Sequence, residues 1–151
     1  MITLSAAQQR AIAAHGEKAF PNECCGVILG TIVGENGEER TAAELLPIEN
    51  AREASEQYHR FVITAEDFMR SELEAAKRGL EIVGFYHSHP NAPAKPSQYD
   101  QDHALPFYSY AIVSVLDGKA DALTSWQLTL DRSAFLEETI ALPNATFPTN
   151  L

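Results

Sequence analysis

Two hydrophobic periods alternate along the chain. From Ser5 to Phe20 an Ala- and Gln-rich stretch has helical spacing, with Ser5 able to cap its first turn and Pro21 following its end. "CCGVILGTIV", Cys24 to Val33, is apolar and rich in β-branched residues, and predicts a largely buried strand. Asn36-Gly37 is a hairpin turn signal, and "TAAELLPIEN" predicts the returning strand. Residues 50–57 read as a polar loop, and "YHRFVI", Tyr58 to Ile63, resumes as a strand. Thr64 opens a helix with Asp67 placed for a capping box. Ala65, Phe68, Met69, Leu73, Ala76 and Leu80 recur there at helical spacing, and Gly79 sits where a C-cap glycine belongs. "EIVGFYH" is the next strand, and a short helix begins at Ser97 and stops before Pro106. "SYAIVSVL" reads as a central strand and "ALTSWQLTL" as another, with Trp126 in the core or as a platform. Phe135 to Ile140 reads as a last edge strand. The resulting order, α-β-β-β-α-β-α-β-β, predicts an α+β fold in α/β/α layers, a mixed sheet with helices on its faces. No internal repeat or linker divides it: residues 1–142 form one domain and 143–151 a loose tail.

Composition narrows the function. A chain of 151 residues is one domain's worth, and such a domain buries roughly 70% of its unfolded surface without needing staples. A net charge of −10 with no basic cluster argues against nucleic acid and against an anionic membrane surface. "MITLSAAQQR" lacks the basic-then-apolar order of a signal peptide, and runs such as "AIVSVL" are too short to span a bilayer. Cys24 and Cys25 are the only cysteines, and chain neighbours rarely pair, so a reducing, cytoplasmic setting is expected. The sequon at Asn144 then carries no glycan information.

The chemistry concentrates in "GFYHSHPNAPAKPSQYD", residues 84–100. Strand positions i and i+2 share a face, so His87 and His89 project together. Two imidazoles this close dislike joint protonation, and a metal takes both neutral nitrogens. Pro90 turns the chain, and a loop stiffened by Pro93 and Pro96 returns Ser97 and Asp100 to the same place. Two His and one Asp make three protein ligands, and zinc so held keeps a fourth position for water, as in catalytic sites. Each part alone has a plainer reading. A lone His-x-His pair is weak evidence for metal, and Ser97-x-x-Asp100 is also an ordinary helix start. Glu23 by itself reads as a solvated loop acid, and His15 and His59 as surface residues. Tyr86 reads as a packing residue. His103, one turn beyond Asp100, reads as a surface residue or a group lining the site.

The full run, His-Ser-His-Pro, six residues, Ser, two residues, Asp, resembles the JAMM motif of the JAB1/MPN (MPN-plus) metallopeptidases, and its spacing matches throughout. The chain is most similar to the small stand-alone prokaryotic members. The resemblance implies a curved mixed sheet of the JAB1/MPN, cytidine-deaminase-like type. It implies His87, His89 and Asp100 as zinc ligands and Glu23, in "PNECCGVILG", as the base that takes a proton from the zinc water and gives it to the leaving amine. Such a base needs a pKa raised towards neutrality, which the apolar neighbours of Glu23 favour. It implies Ser97 as a hydrogen-bond donor to the oxyanion, worth about 3 kcal/mol if it acts like other such donors.

The same resemblance implies a substrate: the Gly-Gly tail of a ubiquitin-like or sulfur-carrier protein, trimmed or relieved of an amino acid such as cysteine. Gly-Gly fits a narrow groove and its backbone can pair with a sheet edge, with residues 50–57 and the segment after Pro90 as groove walls. Rival readings are a non-catalytic MPN-type scaffold, which would usually lack motif residues, and a non-haem iron oxygenase, whose sites usually sit in all-β barrels. A repair-associated JAMM-type protein would need a helical DNA-binding segment that this short, acidic chain lacks.

Overall fold

The computed structural model describes residues 1–50 and 63–143. The expected strand "YHRFVI", except for Ile63, lies outside them, as do His59, the loop after Asn50 and the tail from Asn144. In chain order the elements are β1 (Ile2–Thr3), α1 (Ala6–Ala19), β2 (Cys25–Val33), β3 (Glu39–Ile48), α2 (Ala65–Lys77) and β4 (Glu81–Pro90). After these come α3 (Gln98–His103), β5 (Ser109–Leu116), β6 (Lys119–Leu128), β7 (Phe135–Glu138) and β8 (Ile140–Ala141). The strands form a single mixed sheet in the order β7-β6-β5-β4-β2-β3-β1-β8. The expected α+β class with a curved sheet flanked by helices is what the chain adopts.

β4 lies near the centre of the sheet, antiparallel to β2 and parallel to β5. It is buried from Ile82 to His89, which is why its sequence is a continuous apolar run rather than an alternation. Helix α1 packs on one face, where Ile12 joins Ile28, Val83, Tyr86 and Val113. Helix α2 packs on the other, where Ala75 joins Val27, Leu29, Ile82 and Phe85. Gly16 lets α1 come close to the sheet: a Cβ there would lie 3.0 Å from Val115 Cγ2 and 3.3 Å from Ser88 Cβ. Gly26 is required too, since a Cβ would fall 2.1 Å from the Tyr86 ring, and that ring is fixed by a 2.7 Å hydrogen bond between its hydroxyl and His15 Nδ1.

Both long helices begin as the sequence predicts. Ser5 with Gln8 and Thr64 with Asp67 form complete capping boxes. After α2, Gly79 has φ +68°, and the Leu80 and Gly79 amides close on the Ala75 and Ala76 carbonyls, a Schellman ending.

Three expectations change. The buried side of α2 carries Ser71 and Ala75, with Phe68 against the core, whereas Met69 and Leu73 are 63% and 60% exposed. Small residues let the helix sit close to the sheet, and the apolar spacing follows a neighbouring stripe. The β2–β3 hairpin forms, but its turn runs from Gly34 to Gly37, both at positive φ. Phe135–Ile140 is not one edge strand. It divides at Thr139 into β7, paired with β6, and β8, paired with β1 at the far end of the sheet. One residue thus joins the two ends, so the sheet curls into a nearly closed barrel. Strand β1 carries no periodicity of its own, because it is two residues long and defined by its partners. Among the described residues no helix is long and apolar enough to cross a membrane.

Candidate functional site

The register of β2 against β4 assembles the first part of the site. Cys25 pairs with His87, so the chain continues with Glu23 beside His89, on the face where i and i+2 residues project. Ser88 secures this continuation. Its N–H donates to the Cys24 carbonyl (3.2 Å) and its Oγ accepts from the Cys24 N–H (2.8 Å). The Asn50 amide holds the Glu23 carbonyl at 3.1 Å. Ser88 itself points to the α1 face, against Gly16.

The loop after Pro90 is pinned from the sheet at three successive carbonyls. Ser114 Oγ donates to Ala92 O (2.6 Å), His89 Nδ1 to Pro93 O (3.0 Å) and Thr124 Oγ1 to Ala94 O (2.6 Å). Together with its two prolines this fixes the start of α3. There Ser97 caps the helix and Asp100 completes the capping box, its Oδ2 accepting from the Ser97 N–H at 2.8 Å.

The two strands and the helix converge on one point. His87 Nε2 and His89 Nε2 are 3.1 Å apart. Asp100 Oδ1 lies 3.2 Å from the former and Oδ2 3.1 Å from the latter. Glu23, His87 and His89 offer ligand atoms all within 4.8 Å of one another, and all three are buried. The carbonyl of Pro93 can only accept, so His89 Nδ1 is the donor there and Nε2 is the nitrogen turned inward. Burial pushes the His87 imidazolium pKa down, with Asp100 pulling the other way. Burial alone would push the Asp100 carboxyl up, but His87, His89 and the Ser97 amide outweigh it and hold it well below the usual carboxylate range. Two imidazole nitrogens and a carboxylate thus meet at one buried point. That donor set fits a divalent cation, with the Pro93 hydrogen bond supplying the orientation that metal-bound imidazoles use.

The structure thus gathers Glu23, His87, His89 and Asp100. Ser97 stands at the exposed cap of α3 beside them, its Oγ accepting from the Asp100 N–H at 3.1 Å. His15, expected at the surface, is half-buried and bonded to Tyr86. His103 is exposed, stacked on Tyr99 at 4.0 Å. Cys24 and Cys25 are buried, and burial raises their thiols to about 11 and about 12, so neither is a thiolate at neutral pH.

The positioning roles of Ser88 and Asn50 are absent from the sequence reading. Strand alternation between two motif histidines was the available signal for Ser88. Ser88→Ala removes the acceptor for the Cys24 amide, a buried bond worth about 1–3 kcal/mol to leave unmade. It is expected to lower stability by that order while metal stoichiometry holds. Chemical denaturation beside elemental analysis checks both.

A cleft of about 320 Å³ opens from His87 and Asp100 between α2, α3 and the sheet. Its walls are chiefly apolar and aromatic, including Phe68, Phe85, Tyr99 and Tyr110.

Residues 5–129 match the family of prokaryotic homologs of the JAB domain. The chain belongs to this family. As a prokaryotic JAB protein it is 33% identical over 127 residues to the desampylase of Haloferax volcanii, a span of 80% of this chain and 85% of that one. A protein of Desulfitobacterium hafniense, solved in solution, superposes with TM-score 0.81 at 29% identity, covering 96% of this chain and 94% of that one. A JAB1/MPN domain protein from Archaeoglobus fulgidus shares the fold, with TM-score 0.56 at 16% identity over 95% of each chain.

Proposed function

We propose that this prokaryotic JAB protein is a zinc-dependent hydrolase of peptide or isopeptide bonds at the Gly-Gly tail of a ubiquitin-like or sulfur-carrier protein. The observation that carries the reading is the convergence of two inward imidazole Nε2 atoms and the Asp100 carboxylate within 3.2 Å, with Glu23 alongside. The similarity to a desampylase supports a hydrolase that acts on a ubiquitin-like modifier.

His87, His89 and Asp100 would hold the metal. When bound, zinc supplies a water whose pKa is lowered to about 7. Glu23 takes the proton of the attacking water and hands it to the leaving amine, which is the work of a buried carboxylate placed beside the ligands. The Ser97 hydroxyl already accepts from the Asp100 amide. Its own proton is left to donate to the oxyanion that develops on the substrate carbonyl. Glycines on the acyl side suit a narrow approach, because they bring no side chains to the ligands.

The test pairs elemental analysis with mass spectrometry of carrier fusions that carry an extension after Gly-Gly. One zinc per chain and cleavage after the terminal Gly are expected. Intact fusions from a zinc-loaded protein would favour the scaffold reading, and active metal-free protein would remove zinc from the mechanism.

A further inference from the structure

The proposed reaction leaves the 320 Å³ cleft unexplained. Its polar end is made by His87 and Asp100, the groups proposed to hold the metal. A residue whose side chain enters it therefore lies next to the scissile bond, since one residue advances the chain by no more than about 3.6 Å. On the acyl side that residue is Gly, which fills nothing. The occupant must come from the amine side.

The walls say what kind of side chain that is. Phe85, Tyr110 and Phe135 form an aromatic row, with ring centroids 5.6 and 5.9 Å apart. Tyr110 spends its hydroxyl as acceptor for the Leu105 amide at 2.8 Å. Phe68 and Ile112 add further apolar surface, and among the described residues no Lys or Arg lines the cleft. An apolar cavity of about 150 Å³ suffices for benzene, so this one has room for Leu or Phe.

We infer that the cleft is the specificity pocket for the leaving group, selecting conjugates in which a large apolar residue follows the carrier's terminal Gly. The inference rests on the hydrolase reading, but its test does not depend on that reading alone.

The zinc-loaded full chain would be given carrier–Gly-Gly–X fusions with X as Leu, Phe, Gly or Asp. Separately, the amides of Leu, Phe and Asp would be titrated while protein amide resonances are followed by NMR. Leu and Phe fusions are expected to exceed Asp by roughly 10- to 100-fold in kcat/KM, the range that burial of one such side chain supplies. Leucinamide and phenylalaninamide should shift Tyr99, Leu105 and Phe135, and aspartamide should not. Leu105 is 46% exposed at the rim, so Leu105→Lys can be made without opening the core. It is expected to narrow the preference by favouring the Asp fusion. Equal rates across X with no shifts at these residues would overturn the pocket and leave the hydrolase standing. Shifts at these residues with no fusion cut would support the pocket and remove the hydrolase.

Discussion

Glu23→Gln is expected to keep its zinc and to lose turnover by roughly 10²–10⁴-fold, the contribution of a positioned general base. The substitution keeps the size of the side chain and removes its ability to carry a proton. The main chain on either side should not move, because the Asn50 amide holds the Glu23 carbonyl and Ser88 holds Cys24 at both its N–H and its carbonyl. kcat/KM on a Gly-Gly conjugate, measured beside zinc content, separates lost chemistry from lost metal. Wild-type turnover in this variant would remove Glu23 from the mechanism.

Asp100→Asn should do the reverse, sparing the fold and losing the metal. Asn still accepts from the Ser97 N–H, so the cap of α3 survives. With that oxygen in the place of Oδ2, its NH2 takes the place of Oδ1, which lies 3.2 Å from His87 Nε2. The charge that faces both imidazoles is gone. Zinc affinity should fall by more than the roughly 10–100-fold that loss of an outer partner costs. Zinc at 100 times its Kd stabilises a folded protein by about 2.7 kcal/mol. That rise should appear in thermal unfolding of the wild type and vanish in Asp100→Asn. An equal rise in both would exclude Asp100 as a ligand.

Much of the fold is legible in the sequence because its central strands are buried on both faces and its helices carry complete caps. β5 matches its apolar run, Ser109 to Leu116, residue for residue. The marginal strands are not legible. Two residues hold no period, and β1 and β8 exist through partners far away in the chain. The face of α2 misleads because Met69 and Leu73 have helical spacing, while the sheet meets the side carrying Ser71 and Ala75. At the site, the meeting of His87, His89 and Asp100 follows from local rules, strand alternation and a helix cap. The distance from Glu23 depends on the β2–β4 register, which no single strand contains. The cleft is further from reach, since its lining comes from elements across the chain, from Ile63 to Phe135.

The single residue between β7 and β8 bears on how this protein can be made. Ile140 pairs with Ile2, so the seam between the earliest and latest strands stays open until some 140 residues have left the ribosome. At about 5–20 residues per second the nascent chain waits several seconds or more with that flank bare. Completion is then a late event that joins Ile2 to Ile140, the kind of long-range closure that slows folding relative to local pairing.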